Sequence, residues 1–334
     1  MTRSRASVIG VVLAAMVAIA LASCGGGAAK GTTAEATGPK LKFLMITHSP
    51  STEPFWLPID KGLQTAAKEL GVTAEYRGVQ QNLQDPNEER KLILNAIAAK
   101  PDGLIISNPY PDSLEPAIKQ AVDAGIPVVL INAGGSSVVK VGALTYVGND
   151  EMASGRLAAR KLGEAGCKHA LLITTPDGAL AFVDERNKGF IEGFPGKVSR
   201  ADIPLSNIND STRIKTIVET ELQKNASIDA VFSIGSAASP GMLAARADLG
   251  GRADTMHWAA MDLVTSVVDA IKAGQMDFAI DQQQFGQGYL PVVILTMYHR
   301  YGITPGSELI GSGPGLVTKA NIERILALQT DHYR

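Results

Sequence analysis

The sequence predicts an α/β protein of two lobes, each built on a parallel sheet flanked by helices. Three observations lead there. From Leu41 onward, short apolar runs alternate with longer amphipathic stretches. The short runs are apolar throughout rather than at every second residue, as strands buried on both faces are. The alternation also occurs twice over stretches of similar size, which calls for two sheets rather than one.

In the first half, strands are predicted over 41–47, 73–76, 103–107 and 127–131, with helices over 56–70, 86–99 and 114–124 between them. A strand–helix–strand order of this kind produces parallel strands joined by crossovers. In the second half, strands are predicted over 170–174, 230–234, 258–261 and 278–281. The helices expected there cover 152–164, 213–223, 237–249, 264–273 and 288–301. Ligands of such sheets bind beyond the carboxyl ends of the strands, so strand-end residues carry most weight.

Composition narrows the function classes. Across 334 residues, 45% are hydrophobic and 19% charged, a globular balance with enough chain for two real cores. The formal net charge is −2, and no basic run lies in the globular region to hold nucleic acid. There is no glycine-lysine phosphate loop, nucleophile elbow or histidine pair at metalloprotease spacing. The five histidines are scattered without a cysteine cluster, so neither metal nor cofactor is expected. Cys24 and Cys167 sit in different contexts and are not expected to pair; Cys167 reads as a structural thiol.

The N-terminus reads as an address. Arg3 and Arg5 precede an uncharged run over 8–21, too short for a comfortable membrane span. It ends in Leu21-Ala22-Ser23-Cys24, a pattern that resembles the bacterial lipobox, in which the cysteine is lipidated. Residues 1–23 are thus expected to be a signal peptide and Cys24 the anchored mature terminus. The small and polar residues over 24–40 form a tether with a typical reach of roughly 20–25 Å. The protein is then held at the extracytoplasmic face of the membrane through lipid alone.

Strand ends supply the candidate site. After the first strand comes Glu53-Pro54-Phe55-Trp56, an adjacent aromatic pair in a chain with only 5% aromatics. Ring faces suit the C–H face of a sugar and leave its hydroxyl edge for polar groups. Trp56 could equally start the helix and pack inward. Asn132, Gly235 with Ser236, Asp262, and Asp281 with Gln282 follow later strands. Each could be an ordinary helix cap. Converging from two lobes on one crevice, they make a ring for hydroxyl groups.

With these pieces in place, the chain resembles ribose-binding-type periplasmic substrate-binding proteins of type I from Leu41 nearly to its end. The resemblance rests on Glu53-Pro54-Phe55-Trp56, on 127–132, on Val147-Gly148-Asn149-Asp150 through Gly155, and on Glu185-Arg186 with Gly189-Phe190. It extends to Asp229-Ala230-Val231-Phe232 and the closing 313–319 segment. It implies two lobes joined by a three-strand hinge: 41–146 with about 283–311, and 147–282 with about 312–334. It further implies a monomeric, non-enzymatic component of an ABC importer that closes on a small ligand and is then recognised by permease subunits. Carried over by position, Glu53, Phe55, Trp56 and Asn132 contact ligand from the first lobe. Asp184, Ser236 (or Gly235), Asp262 and Gln282 do so from the second lobe or hinge, with Phe182 as the opposing ring.

Two departures shape the ligand. Ribose-type members carry arginine where this chain has Ala133 and Asp184. Without those donors the set is rich in acceptors, which favours hydroxyl groups and repels acids. A neutral sugar or sugar alcohol is expected. A cationic amino compound over Phe55 and Trp56 is the competing ligand class. An anchored sensor that signals to a membrane partner is the competing role. Repressors of the same two-lobed form begin with a helix-turn-helix, whereas this chain begins with an export signal. A hydrolase using Glu53 and Asp184 would have the carboxylates but no precedent in this fold.

Overall fold

The computed structural model describes residues 40–80, 85–329 and 331–333. The expected signal peptide, Cys24 and the tether before Lys40 lie outside those residues.

The first lobe alternates β1 (Lys42–Thr47), α1 (Leu57–Leu70), β2 (Thr73–Gly78), α2 (Pro86–Ala98) and β3 (Gly103–Ser107). It continues through α3 (Pro111–Asp123), β4 (Val128–Ile131), α4 (Val138–Val141) and β5 (Thr145–Asn149). The second runs through α5 (Glu151–Glu164), β6 (His169–Thr174), α6 (Ala181–Gly193), β7 (Lys197–Asp202) and α7 (Ser211–Lys224). It goes on to β8 (Ala230–Ser233), α8 (Ser239–Asp248), β9 (His257–Met261), α9 (Thr265–Ala273) and β10 (Phe278–Asp281). The chain then returns to the first lobe with α10 (Gln284–Tyr301) and β11 (Leu309–Gly313). It closes on the second with β12 (Gly315–Thr318) and α11 (Ile322–Gln329).

Two six-stranded sheets result, ordered β11-β5-β4-β3-β1-β2 and β12-β10-β9-β8-β6-β7. The first is parallel throughout. In the second, the five strands from β7 to β10 are parallel as expected, and β12 joins β10 antiparallel at the edge. Alternate residues of a strand serve opposite cores, which is why the strands read as unbroken apolar runs. Phe43 and Met45 pack with α1 and α10, while Leu44 and Ile46 pack under α2 and α3.

Caps set several helix ends. Asp85 accepts from Asn87 N and Glu88 N at the start of α2, Asp150 from Ala153 N at α5, and Asp210 from Arg213 N at α7. Gly71 closes α1 at φ 65°, a left-handed turn that glycine adopts freely.

The lobes repeat one packing device. Gly62 and Gly288 bring α1 and α10 into backbone contact; a Cβ on Gly288 would lie 1.8 Å from Ile59 O, and one on Gly62 2.1 Å from Phe285 O. Gly155 and Gly189 do the same for α5 and α6, at 2.1 Å from Arg186 O and 2.2 Å from Met152 O. Such crossings tolerate no added methyl. Gly288→Ala should lower stability by about 1–3 kcal/mol, visible as a drop of several degrees in the thermal midpoint. An unchanged midpoint would show that the helices part without cost. Cys167 is free and buried, and burial pushes its thiol up to about 11, the behaviour of a packing residue.

Candidate functional site

Both sheets have doubly wound order, so the strand order reverses between β1 and β3 in one and between β6 and β8 in the other. Crevices open at the carboxyl ends of those strands. A cleft lined from both lobes lies there, and its non-atom space is about 790 Å³ including the open mouth. Much of the lining is apolar, with a few convergent polar groups, the composition of a small-molecule site.

The first wall begins after β1. The Glu53 carbonyl accepts from Trp56 N at 2.9 Å and Leu57 N at 3.2 Å, a turn that leads into α1 and sets Phe55 beside Trp56. Their rings meet edge to face at 5.5 Å, and Trp56 meets His48 at 5.0 Å and Tyr76 at 6.3 Å. Trp56 is only 2% exposed, so it both lines the cleft and belongs to the core of the first lobe. The inward-packing reading and the cleft reading are both true of it. Trp56→Ala should therefore cost about 3–5 kcal/mol in stability, which would obscure any binding effect. Phe55 is the cleaner probe. Phe55→Ala should weaken sugar binding by about 1–2 kcal/mol in calorimetry with little change in melting, and equal affinity would remove the ring from the site.

The polar groups sit on strained strand ends. Asn132 follows β4 at φ 59° and Asp262 follows β9 at φ 69°, corresponding positions of the two lobes. Asn and Asp tolerate this left-handed conformation better than most residues. Neither side chain caps the helix that follows its own strand. Asp262 accepts from Gln282 Nε2 at 2.8 Å through one oxygen and from Ser236 N at 3.1 Å through the other. Asn132 Nδ2 donates to Gln287 Oε1 at 3.4 Å, and Gln287 Nε2 donates to Ser312 Oγ at 3.1 Å. Ser312 Oγ in turn donates to the Gln282 carbonyl at 2.8 Å. A buried hydrogen-bonded line thus runs from one strand end to the other through the segments that cross between lobes.

Some acceptors are left over. Gln282 Oε1 and Thr175 Oγ1, both on cleft-lining residues, have no hydrogen-bond partner among the described residues. Buried polar atoms normally have one, so these are places for a ligand hydroxyl. Burial pushes the Glu53 and Asp262 carboxyls above the usual carboxylate range, although Arg186 and Gln282 pull Asp262 back down.

Of the residues singled out in the sequence, Glu53, Phe55, Trp56, Asn132, Phe182, Ser236, Asp262 and Gln282 all line the cleft, as does Gly235. Asp184 does not. Its Oδ2 accepts from Gly178 N at 3.0 Å and ties down the loop before α6. On that helix Phe182, Val183 and Arg186 face the cleft. Asp184 lies roughly 200° around the axis from Arg186 and turns away. The expectation of a site without guanidinium is corrected with it, because Arg186 supplies one. That group is largely committed: Nε and Nη2 donate to Glu151 Oε2, the first at 2.7 Å, and Nη1 donates to the Ile234 carbonyl. Its carbon lies 5.5 Å from the centre of the Phe182 ring. Sequence reasoning also passed over His48, Thr175, Ile203 and Ile234. His48 directly follows β1 and was findable by the strand-end rule; Ile203 follows an edge strand with no apolar signature.

Fold and cleft together define a two-lobed solute-binding protein. A family model described as the periplasmic binding protein domain matches residues 43–300. The chain belongs to that family. It is similar to a carbohydrate transporter from Acidothermus cellulolyticus 11B, solved in complex with myo-inositol, at 33% identity and a TM-score of 0.79. That match covers 89% of this chain and 100% of the other. It is also similar to AraP, an arabinose-binding protein from Geobacillus stearothermophilus, at 26% identity and a TM-score of 0.70, covering 86% and 99%. The xylose/arabinose-binding protein XylF of Sulfolobus acidocaldarius is 24% identical over 302 residues, 86% of this chain and 73% of that one.

Proposed function

We propose that this protein captures a small neutral sugar or sugar alcohol between its lobes and presents the closed form to the permease of an ABC importer. The observation that carries the reading is the cleft itself: Phe55, Trp56 and Phe182 for carbon faces, with Asn132, Asp262 and Gln282 for hydroxyl groups. The resemblance to a myo-inositol complex supports a ring-shaped polyol. No covalent step is needed. Ligand binds one lobe and stabilises the closed arrangement through contacts to the other.

Family membership supports an extracytoplasmic place of work. Among the described residues no helix is long and apolar enough to cross a membrane. Attachment would then rest on acylation of Cys24, and a clickable fatty-acid label should enter the protein and be lost in Cys24→Ala. We take the protein to act as a monomer, which light scattering would check.

The ligand class is tested by thermal shift of the purified protein against myo-inositol, pentoses, hexoses, alditols and small amines. A polyol at 1,000 times its Kd should stabilise by about 4 kcal/mol. Shifts from amines alone, or conversion of any sugar to product, would contradict the reading.

A further inference from the structure

Behind the Trp56 wall, three buried side chains stand in line. His48 Nδ1 lies 2.9 Å from Ser107 Oγ, and Ser107 Oγ lies 2.9 Å from Glu89 Oε1. The same hydroxyl accepts from the His48 backbone N–H at 3.2 Å. His48 is 6% exposed, and Ser107 and Glu89 are sealed at 0%. His48 lines the cleft at one end of the line, whereas Glu89 is on the buried face of α2 with Oε2 unpartnered among the described residues. The His48 ring has one further nitrogen, Nε2, for which the described residues offer no hydrogen-bond partner.

Ser107 has a single hydroxyl hydrogen, and it can serve the carboxyl or the imidazole but not both. With Glu89 protonated, the carboxyl donates to Ser107, the serine hydrogen turns to His48 Nδ1, and the ring proton resides on Nε2. With Glu89 ionised, Ser107 donates to the carboxylate, Nδ1–H donates to Ser107, and Nε2 carries a lone pair. One proton at Glu89 thereby decides which tautomer the imidazole holds.

We propose that His48 is a specificity-determining residue of the cleft, presenting Nε2 to the ligand as a donor or an acceptor according to the protonation of Glu89 relayed through Ser107. The inference rests on the sugar-binding reading. In a cleft whose Glu53 and Asp262 accept, a donor at His48 supplies the complementary partner for a hydroxyl oxygen. Burial keeps the imidazole neutral, pulling it down to about 3, and pushes Glu89 up to about 8. The other titratable groups around the line are Tyr76 on β2, Tyr110 before α3, Glu53 in the loop before α1, Asp60 in the first turn of α1, and Asp85 capping α2. Both phenols are pushed up by burial, and Glu53 is likewise raised.

The test uses the purified protein labelled with ¹⁵N-histidine, with His48 signals assigned through His48→Gln. As pH rises from about 6 to about 9.5, Nδ1 and Nε2 of His48 should exchange their protonated and unprotonated shifts, with a midpoint near pH 8 and no charged ring. In Glu89→Gln the signals should stay fixed, and Ser107→Ala should uncouple them in the same way. In parallel, calorimetry with myo-inositol as probe should show affinity changing by about three- to tenfold over that range in the wild type and staying flat in Glu89→Gln. Constant His48 shifts in the wild type, or an exchange that persists in Glu89→Gln, overturn the relay. A tautomer exchange with pH-independent affinity overturns the role in specificity. If the exchange is present and no polyol binds at all, it is the sugar-binding reading that fails, and with it the role assigned to His48.

Discussion

Asp262→Ala is expected to weaken polyol binding by about 2–4 kcal/mol, a factor of roughly 30–700 in Kd. Asp262 is 3% exposed and sits where β9 delivers it to the cleft. Both of its oxygens organise the second lobe's half of the site, holding Gln282 Nε2 and Ser236 N. Removing the carboxylate leaves those donors unpaired and deprives the ligand of an acceptor. Alanine is also strained at φ 69°, so part of any loss could come from the backbone. Asp262→Asn separates the two effects, because asparagine accepts the left-handed conformation and keeps the shape while exchanging one acceptor oxygen for a donor. It should melt near the wild-type temperature and still bind at least about tenfold more weakly. Burial holds the Asp262 carboxyl above its usual range, so affinity should fall on acidification earlier than for a free carboxylate. An Asn variant with full affinity would remove Asp262 from the ligand's contacts.

The second large effect concerns stability. Arg186 and Glu151 form an ion pair whose side chains are 2% and 4% exposed. Taking two charges out of water is costly, and the pair is tolerable only because each supports the other. Burial still pushes the Glu151 carboxyl up to about 7, against the pull of Arg186 and Asn149. Arg186→Met should cost about 3–5 kcal/mol and lower the thermal midpoint by on the order of 10 °C, since Glu151 loses its cation and Ile234 O its donor. Arg186→Met with Glu151→Met should recover much of that loss, because no charge is then left buried. A single variant within about 1 kcal/mol of wild type would mean that water reaches the pair. Because Arg186 also lines the cleft under Phe182, both variants should alter ligand affinity, and the melting experiment is the one that isolates the pair.

What the sequence made legible follows from where each element sits. β1, β3, β4, β6, β8, β9 and β10 occupy sheet interiors, are covered on both faces, and show as apolar runs. β7 and β11 lie toward sheet edges with half-exposed faces and polar or glycine residues, so their strands carried no such signal. β5 is buried but short and spelled Thr-Tyr-Val-Gly-Asn, and it was recognised only as a fragment resembling the family. α6 mixes charges on both sides and has weak amphipathicity, so its existence and facing were not predicted. Without a helix, Asp184 and Arg186 cannot be sorted onto opposite sides, and only Arg186 lines the cleft. The aromatic pair and the strand-end Asn132 and Asp262 were legible because position after a strand is a local property. Gln287 and Ser312, which bridge those strand ends, come from distant segments that only the fold brings together.

Function in this cleft requires a ligand held by both lobes at once. A crystal structure grown with the polyol that gives the largest thermal shift measures this directly. It should show the ligand's carbon face between Phe55 and Phe182, with hydroxyl groups on Asn132, Asp262 and Gln282. A ligand seated outside this cleft, or touching one lobe alone, would contradict it.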